Sequence, residues 1–154
     1  MAIDQPSLKA RALRLLSARE YSRTELERKL AYFEEVPCSL ALVLDDLQGK
    51  GFISEHRVAD SVLNRRAAKL GVSRISQELH SKGLTPEVIS EALMGLQATE
   101  LERARLVWQK KFGQTATDAK ATAKQMRFLA ARGFSGDVIR RVVKICPEND
   151  MTDG

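Results

Sequence analysis

One short phrase occurs three times in this chain, and it constrains the fold more than any other feature. A leucine is followed three residues later by a cation, then by glycine and a large apolar residue, at residues 47–52, 79–84 and 129–134. A segment that favours the start of a helix follows each copy. Internal repetition of this kind indicates stacked helical units. The cation and the glycine are themselves typical of a helix end, where the cation meets the negative dipole and glycine accepts a left-handed turn.

Composition and periodicity favour an all-α chain. Strong helix formers dominate, and no segment alternates between apolar and polar residues as a strand would. Ser22 and Glu25 have the spacing of a capping box, and Thr85 precedes a proline suited to a first helical turn. Other helices are expected to start near Thr99, at Asp118 as a cap, and at Ser135. The chain is therefore predicted to form three tandem three-helix repeats in an elongated, curved array. The predicted boundaries are 7–53, 54–97 and 98–146 for the repeats and 147–154 for an acidic disordered tail.

The two cysteines and the absence of long apolar runs bear on the cellular compartment. Cys38 and Cys146 are far apart, and a chain this poor in cysteine does not have a disulfide framework. Both are predicted to be buried, reduced thiols that pack as small hydrophobes. No signal sequence and no membrane-spanning apolar run is evident. We therefore expect a cytoplasmic protein with no membrane partner.

The residues that usually carry catalysis are few. There is no glycine-rich phosphate loop, and neither His56 nor His80 has a cysteine or carboxylate at the spacing of a metal site. Both histidines are interpreted as exposed helix residues, and Trp108 as an anchor of the core. No enzyme activity, cofactor or metal is expected.

Positive charge is concentrated in the last third of the chain. The net charge is +5, yet residues 99–146 alone hold eleven cations against four carboxylates. Such a surface is compatible with nucleic acid or an acidic protein partner. Many soluble helical proteins have a similar surface, so charge alone does not choose between these interpretations.

The residue pattern in the central part of the chain is a more specific indicator of family than the charge distribution. Residues 51–59 read Gly-Phe-Ile-Ser-Glu-His-Arg-Val-Ala, and a spaced set of residues continues the pattern: Arg66, Lys69, Gly71, Arg74-Ile75, Glu78-Leu79 and Lys82-Gly83. This stretch resembles the signature of the bacterial RecX family, regulators of the RecA recombinase. Weaker similarity on both sides extends the resemblance from about residue 8 to residue 145. It is carried by Arg19, Ser22, Glu25-Leu26, Lys29-Leu30, Lys111-Phe112-Gly113, Arg127, Leu129 and Arg132-Gly133-Phe134.

The resemblance implies both a fold and a function. It implies three three-helix repeats and a monomer that binds RecA and the RecA–DNA filament, limits recombinase, ATPase and co-protease activity, and binds single- and double-stranded DNA weakly on its own. Matching positions to the family pattern gives the partner-binding candidates Arg57, Arg66, Lys69, Arg74, Lys82, Arg127 and Arg132. Charge clustering adds Arg65, Lys124, Arg140 and Arg141.

Two other functions fit the same residues. An independent DNA-binding module of the helix-turn-helix type would bind DNA without RecA and lose affinity steeply with salt. A helical adaptor for an unrelated acidic protein would bind neither DNA nor RecA.

Overall fold

The computed structural model describes residues 5–143, which contain eight α-helices, one short 3-10 helix and no strand. The predicted all-α class is confirmed. The helices are α1 Leu8–Ala18, α2 Arg23–Leu30, the 3-10 helix Ala31–Phe33, α3 Ser39–Gly49, α4 Glu55–Arg66, α5 Val72–Ser81, α6 Pro86–Lys111, α7 Ala119–Ala131 and α8 Gly136–Val142. None of the helices in these residues has both the length and the hydropathy needed to cross a membrane.

The predicted helix starts are confirmed where a side chain caps the backbone. The Ser22 hydroxyl accepts from Glu25 N at 3.1 Å, and the Glu25 carboxylate accepts from Ser22 N at the same distance. Asp118 and Ser135 cap α7 and α8 with a single bond each, in which the side-chain oxygen accepts from a backbone amide of the first turn. These bonds satisfy amides that a helix leaves without partners in its first turn.

The expected helix start near Thr99 is wrong, because α6 runs through it without interruption. The Thr99 hydroxyl donates to Leu96 O at 3.4 Å, one turn back inside the helix, and accepts from Arg103 Nε at 3.1 Å. A threonine bonded in this way caps nothing. The predicted repeat boundary at 97/98 therefore falls inside one helix.

The described residues divide into two units, and the division falls within α4, α5 and α6. The first unit comprises residues 5–63 and 78–92, and the second comprises 64–77 and 93–143. The core of the first unit is built on Ala12, Tyr21, Leu26, Leu30, Leu40, Leu44, Leu47 and Ile53. The core of the second is built on Ala104, Leu129, Phe134, Ile139, Val142 and Val143. Trp108 packs against this second core and donates from Nε1 to Gln125 Oε1 at 2.9 Å, as its interpretation as a core residue predicts.

The prediction of a buried Cys38 is wrong. Cys38 is exposed and is the residue before α3, where its φ of 67° places it in the left-handed region. The neighbouring proline and apolar residues suggested burial, but Val36 and Pro37 are exposed as well. Cys146 and the predicted tail at 147–154 lie outside the described residues.

The glycines of the three repeated phrases end helices, as predicted. Gly51, Gly83 and Gly133 have φ values of +82°, +71° and +90°, all left-handed. Two of them also make a close contact. A Cβ on Gly83 would overlap the Thr24 hydroxyl in the first turn of α2, and a Cβ on Gly133 would lie 2.7 Å from Arg74 N in the first turn of α5.

These contacts show a second role for the repeated phrase. The end of α5 docks on the start of α2, and the end of α7 docks on the start of α5, through glycines that leave no room for a side chain. At Gly51, the first copy, no described atom lies within 4 Å of the Cβ position. The second docking is reinforced by two backbone hydrogen bonds, from Gly71 N to Arg132 O at 2.8 Å and from Ser73 N to Gly133 O at 3.2 Å.

A buried carboxylate organises the second unit around α6. Glu100 is only 6% exposed, and its Oε1 accepts from Val72 N at 3.3 Å and from Ser135 N at 3.2 Å. It therefore lies at the amino-terminal ends of both α5 and α8, where helix dipoles favour negative charge. The second unit thus holds these two helix starts next to α6.

Candidate functional site

Three of the predicted binding cations form hydrogen bonds or an ion pair with other residues of their own unit. Arg57 donates from Nε to Glu20 Oε1 at 2.9 Å and from Nη2 to Gly51 O at 2.6 Å. Arg74 donates from Nη1 to Ala131 O at 2.9 Å, and its stem covers Gly133. These two arginines connect helix ends within one unit each.

Lys82 is the third of these cations. Its side chain is 11% exposed, and its Nζ lies 3.1 Å from Glu25 Oε1, a carboxylate that is itself 15% exposed. Arg19 Nη2 binds the other oxygen of Glu25 at 2.9 Å. Burial raises the pKa of Glu25, but the Ser22 amide, Arg19 and Lys82 together outweigh burial and hold that pKa below its ordinary value of 4.5. The charge of Lys82 is therefore balanced within the first unit.

This cluster predicts an acid-sensitive contribution to stability. A carboxylate whose pKa is lower in the folded chain stabilises the fold above its unfolded pKa, and the contribution is lost as the pH falls through the folded pKa. We expect Glu25→Gln, which keeps the capping-box geometry but removes the charge, to lower the free energy of unfolding at neutral pH. The deficit should shrink as the pH drops below about 4.5, in urea unfolding followed by circular dichroism. An equal deficit at neutral and acidic pH would contradict this account.

A groove in the second unit gathers cations around an apolar floor, and we call it the basic groove. It has a volume of about 590 Å³ and is bordered by the carboxyl-terminal half of α6, the turn after α4 and the end of α7. Its apolar residues include Leu106, Val107 and Phe128, and no carboxylate lines it. The cations that line it are Lys69, Arg103, Lys110, Lys111 and Arg132.

Arg103 forms the fixed part of the basic groove. Its Nη1 donates to Ala67 O at 2.9 Å and to Leu70 O at 2.8 Å, and its Nη2 donates to Leu96 O at 2.9 Å. Burial lowers the pKa of Arg103, and the Glu100 carboxylate opposes that effect. Because its donors are committed to carbonyls at the end of α4 and within α6, Arg103 supports the groove rather than serving a partner.

Of the other four cations of the basic groove, three are exposed and Arg132 is half-buried. Lys69, Lys110 and Lys111 are exposed. Arg132 Cζ and Lys111 Nζ lie 4.9 Å and 5.5 Å from the centre of the Phe128 ring, so both cations are held near the apolar floor by cation–π attraction. Leu106 is 65% exposed at the same place. The groove can therefore receive a phosphate or carboxylate together with an apolar group.

The remaining predicted cations lie on the surface but outside this groove. Arg65 and Arg66 are exposed in the last turn of α4, and Lys124 and Arg127 are exposed on α7. Arg140 is paired with Asp137 at 2.9 Å, an exposed pair that contributes little to stability. Arg141 lines a smaller cavity of about 330 Å³ beside Arg105 and Trp108.

The structure adds Lys110 and Lys111 to the cations selected from the sequence. A signal for them exists in the sequence, since Arg103, Leu106 and Lys110 are spaced by three and four residues and share one face of a helix. That face lies within the helix expected from near Thr99, but its place in a groove depends on packing against the turn after α4 and the end of α7. No group of three His, Cys, Asp or Glu side chains in residues 5–143 is arranged to hold a metal ion.

Comparison with known proteins places this chain in one family. Sequence models of the second and third three-helix domains of RecX match residues 54–93 and 98–143. The regulatory protein RecX of Leptothrix cholodnii is 52% identical over 147 residues, covering 94% of both chains. That of Herminiimonas arsenicoxydans is 49% identical over 150 residues, covering 97% of this chain and 99% of its own.

A solved structure supports the same fold. The crystal structure of RecX from Lactobacillus salivarius superposes with a TM-score of 0.75 at 20% identity, covering 88% of this chain and 92% of the other. At 20% identity this similarity shows the fold alone. Family membership is shown by the two relatives that match nearly the full length of the chain at about 50% identity. On these grounds the chain belongs to the RecX family of regulatory proteins.

Proposed function

We propose that this protein binds the RecA recombinase and its DNA filament and limits filament growth, ATP hydrolysis and strand exchange. The observation that carries the proposal is the near-complete match to regulatory RecX proteins, at 52% identity over 94% of both chains. A role in controlling homologous recombination and the DNA-damage response in the cytoplasm follows from that partner. The protein acts as a monomer, by binding, without catalysis or cofactor of its own.

The basic groove supports this proposal in chemical terms. Four of its cations, Lys69, Lys110, Lys111 and Arg132, can contact phosphates of filament DNA or carboxylates on RecA. The exposed cations Arg65, Arg66, Lys124, Arg127, Arg140 and Arg141 extend the same charge over the second unit. Arg57, Arg74 and Lys82 instead stabilise the unit in which each of them lies.

The test is RecA's ATPase activity on single-stranded DNA. We expect a stoichiometric excess of this protein to reduce the rate of ATP hydrolysis by more than half, and to shorten RecA filaments seen by electron microscopy. Unchanged ATPase activity and unchanged filament length would overturn the proposal. Salt-sensitive DNA binding that persists without RecA, with no effect on RecA itself, would instead support the independent DNA-binding module.

A further inference from the structure

A second groove lies in the first unit, and its lining includes none of the residues of the basic groove or of the Glu25 cluster. It has a volume of about 430 Å³ and lies between α1 and the end of α2. Pro6, Ala10, Leu15, Leu30 and Phe33 supply its apolar lining. This volume is within the range of ligand sites in proteins. We call it the α1–α2 groove.

The charges at this groove are all positive. Arg11, Arg14 and Lys29 complete its lining, and no carboxylate contributes to it. Arg14 and Lys29 are exposed, whereas Arg11 donates to Gln5 at 3.2 Å and places its guanidinium 3.7 Å from the centre of the Phe33 ring. Arg14 and Lys29 are thus the cations most accessible to a partner.

Exposed aromatic residues flank the groove. Tyr32 is 89% exposed and Phe33 is 39% exposed, and their rings meet edge to face with centres 5.2 Å apart. Apolar surface of this kind beside a cavity marks an interaction site. The partner must therefore combine negative charge with an apolar group.

We propose that the α1–α2 groove binds an acidic peptide segment that carries a large apolar side chain. The apolar side chain packs on the groove lining over Leu15 and Phe33, and neighbouring carboxylates pair with Arg14 and Lys29. A peptide fits better than single-stranded nucleic acid because base stacking needs a free ring face inside the groove, and Tyr32, although exposed, does not line it. One face of Phe33 is covered by the Arg11 guanidinium, and the rest of the floor is aliphatic.

The test is binding of a fluorescein-labelled synthetic peptide, Glu-Asp-Leu-Phe-Asp-Glu, to the full chain, followed by fluorescence anisotropy. Three probes accompany it: the same peptide with serines in place of Leu-Phe, the same peptide with lysines in place of its acidic residues, and a labelled oligothymidylate. We expect saturable binding of the first peptide and at least tenfold weaker binding of each of the others.

Arg14→Glu should weaken binding of the acidic peptide about tenfold, equivalent to about 1.4 kcal/mol. Lys120→Glu is the matched control, since it changes the net charge equally at an exposed position in α7 outside the groove. Equal loss in both variants would overturn the proposal, as would equal binding of the serine peptide or preferential binding of the oligothymidylate. None of these measurements contains RecA, so a failure of this proposal can be distinguished from a failure of the proposed function.

Discussion

Gly71→Ala is expected to destabilise the second unit by about 3 kcal/mol, at the upper end of the cost of overpacking a close contact. An added Cβ would overlap the Gly133 carbonyl and the Phe134 amide nitrogen, which are backbone atoms that cannot rotate away. A backbone shift that relieved this overlap would also stretch the hydrogen bonds from Gly71 N to Arg132 O and from Ser73 N to Gly133 O. Trp108 is the only tryptophan of the chain and packs in the second unit, so its fluorescence during urea unfolding reports on this unit.

Gly95→Ala is the matched control for this substitution. Gly95 lies inside α6, in the same unit, with no described atom within 4 Å of its Cβ position. The identical change should stabilise here, by up to about 1 kcal/mol, because alanine favours the helix over glycine. Similar free energies of unfolding for the two variants would show that the Gly71 contact is not tight.

Reversing two charges in the basic groove is expected to have the largest functional effect. The double variant Lys110→Glu, Lys111→Glu should raise the concentration needed for half-inhibition of RecA's ATPase at least about tenfold, a loss of about 1.4 kcal/mol. Both lysines are exposed, and the floor beneath them is set by Arg103 and Phe128. Circular dichroism should show that the helices persist.

The matched control reverses two exposed lysines elsewhere, Lys9→Glu and Lys120→Glu. Lys9 makes an exposed ion pair with Asp46 at 3.4 Å, and such a pair contributes little to stability. Inhibition should be nearly unchanged in this variant, although its net charge equals that of the groove variant. Equal loss of inhibition in the two variants would show that overall charge, rather than the groove, governs the effect.

Salt dependence of the groove variant identifies what the lysines contact. If Lys110 and Lys111 meet DNA phosphates, binding of the double variant to the RecA–DNA filament should have a log-affinity slope against log-salt shallower by about 2. Contact with carboxylates of RecA gives a smaller change, because no condensed counterions are released.

The local features of this fold were predictable from the sequence. Capping depends on residues within one turn, so Ser22, Asp118 and Ser135 could be identified as helix starts from their neighbours alone. The predicted helix start near Thr99 was wrong for the same reason, since a threonine followed by a glutamate has the local pattern of a cap wherever it occurs. Only the continuation of the helix on both sides shows that its hydroxyl bonds backward to Leu96.

The features that depend on distant residues were not predictable. The sequence shows Lys82 as one more cation, but its environment is set by Glu25, more than fifty positions earlier. Gly133 likewise has the local pattern of a helix end, and its contact with Gly71 and Arg74 comes from packing. Charge spacing could nominate basic residues, but packing decides which ones the fold uses internally.

The docked glycines have a consequence for dissecting this protein. Each unit contains one docking contact, and each contact joins residues of two different predicted repeats. A fragment ending at residue 53 would leave Glu25 without Lys82, and Thr24 without the turn at Gly83 that covers it. A fragment ending at residue 92 would keep both contacts, because it retains the end of α5 and the start of α6. The repeats of the sequence and the compact units of the structure therefore divide this chain at different places.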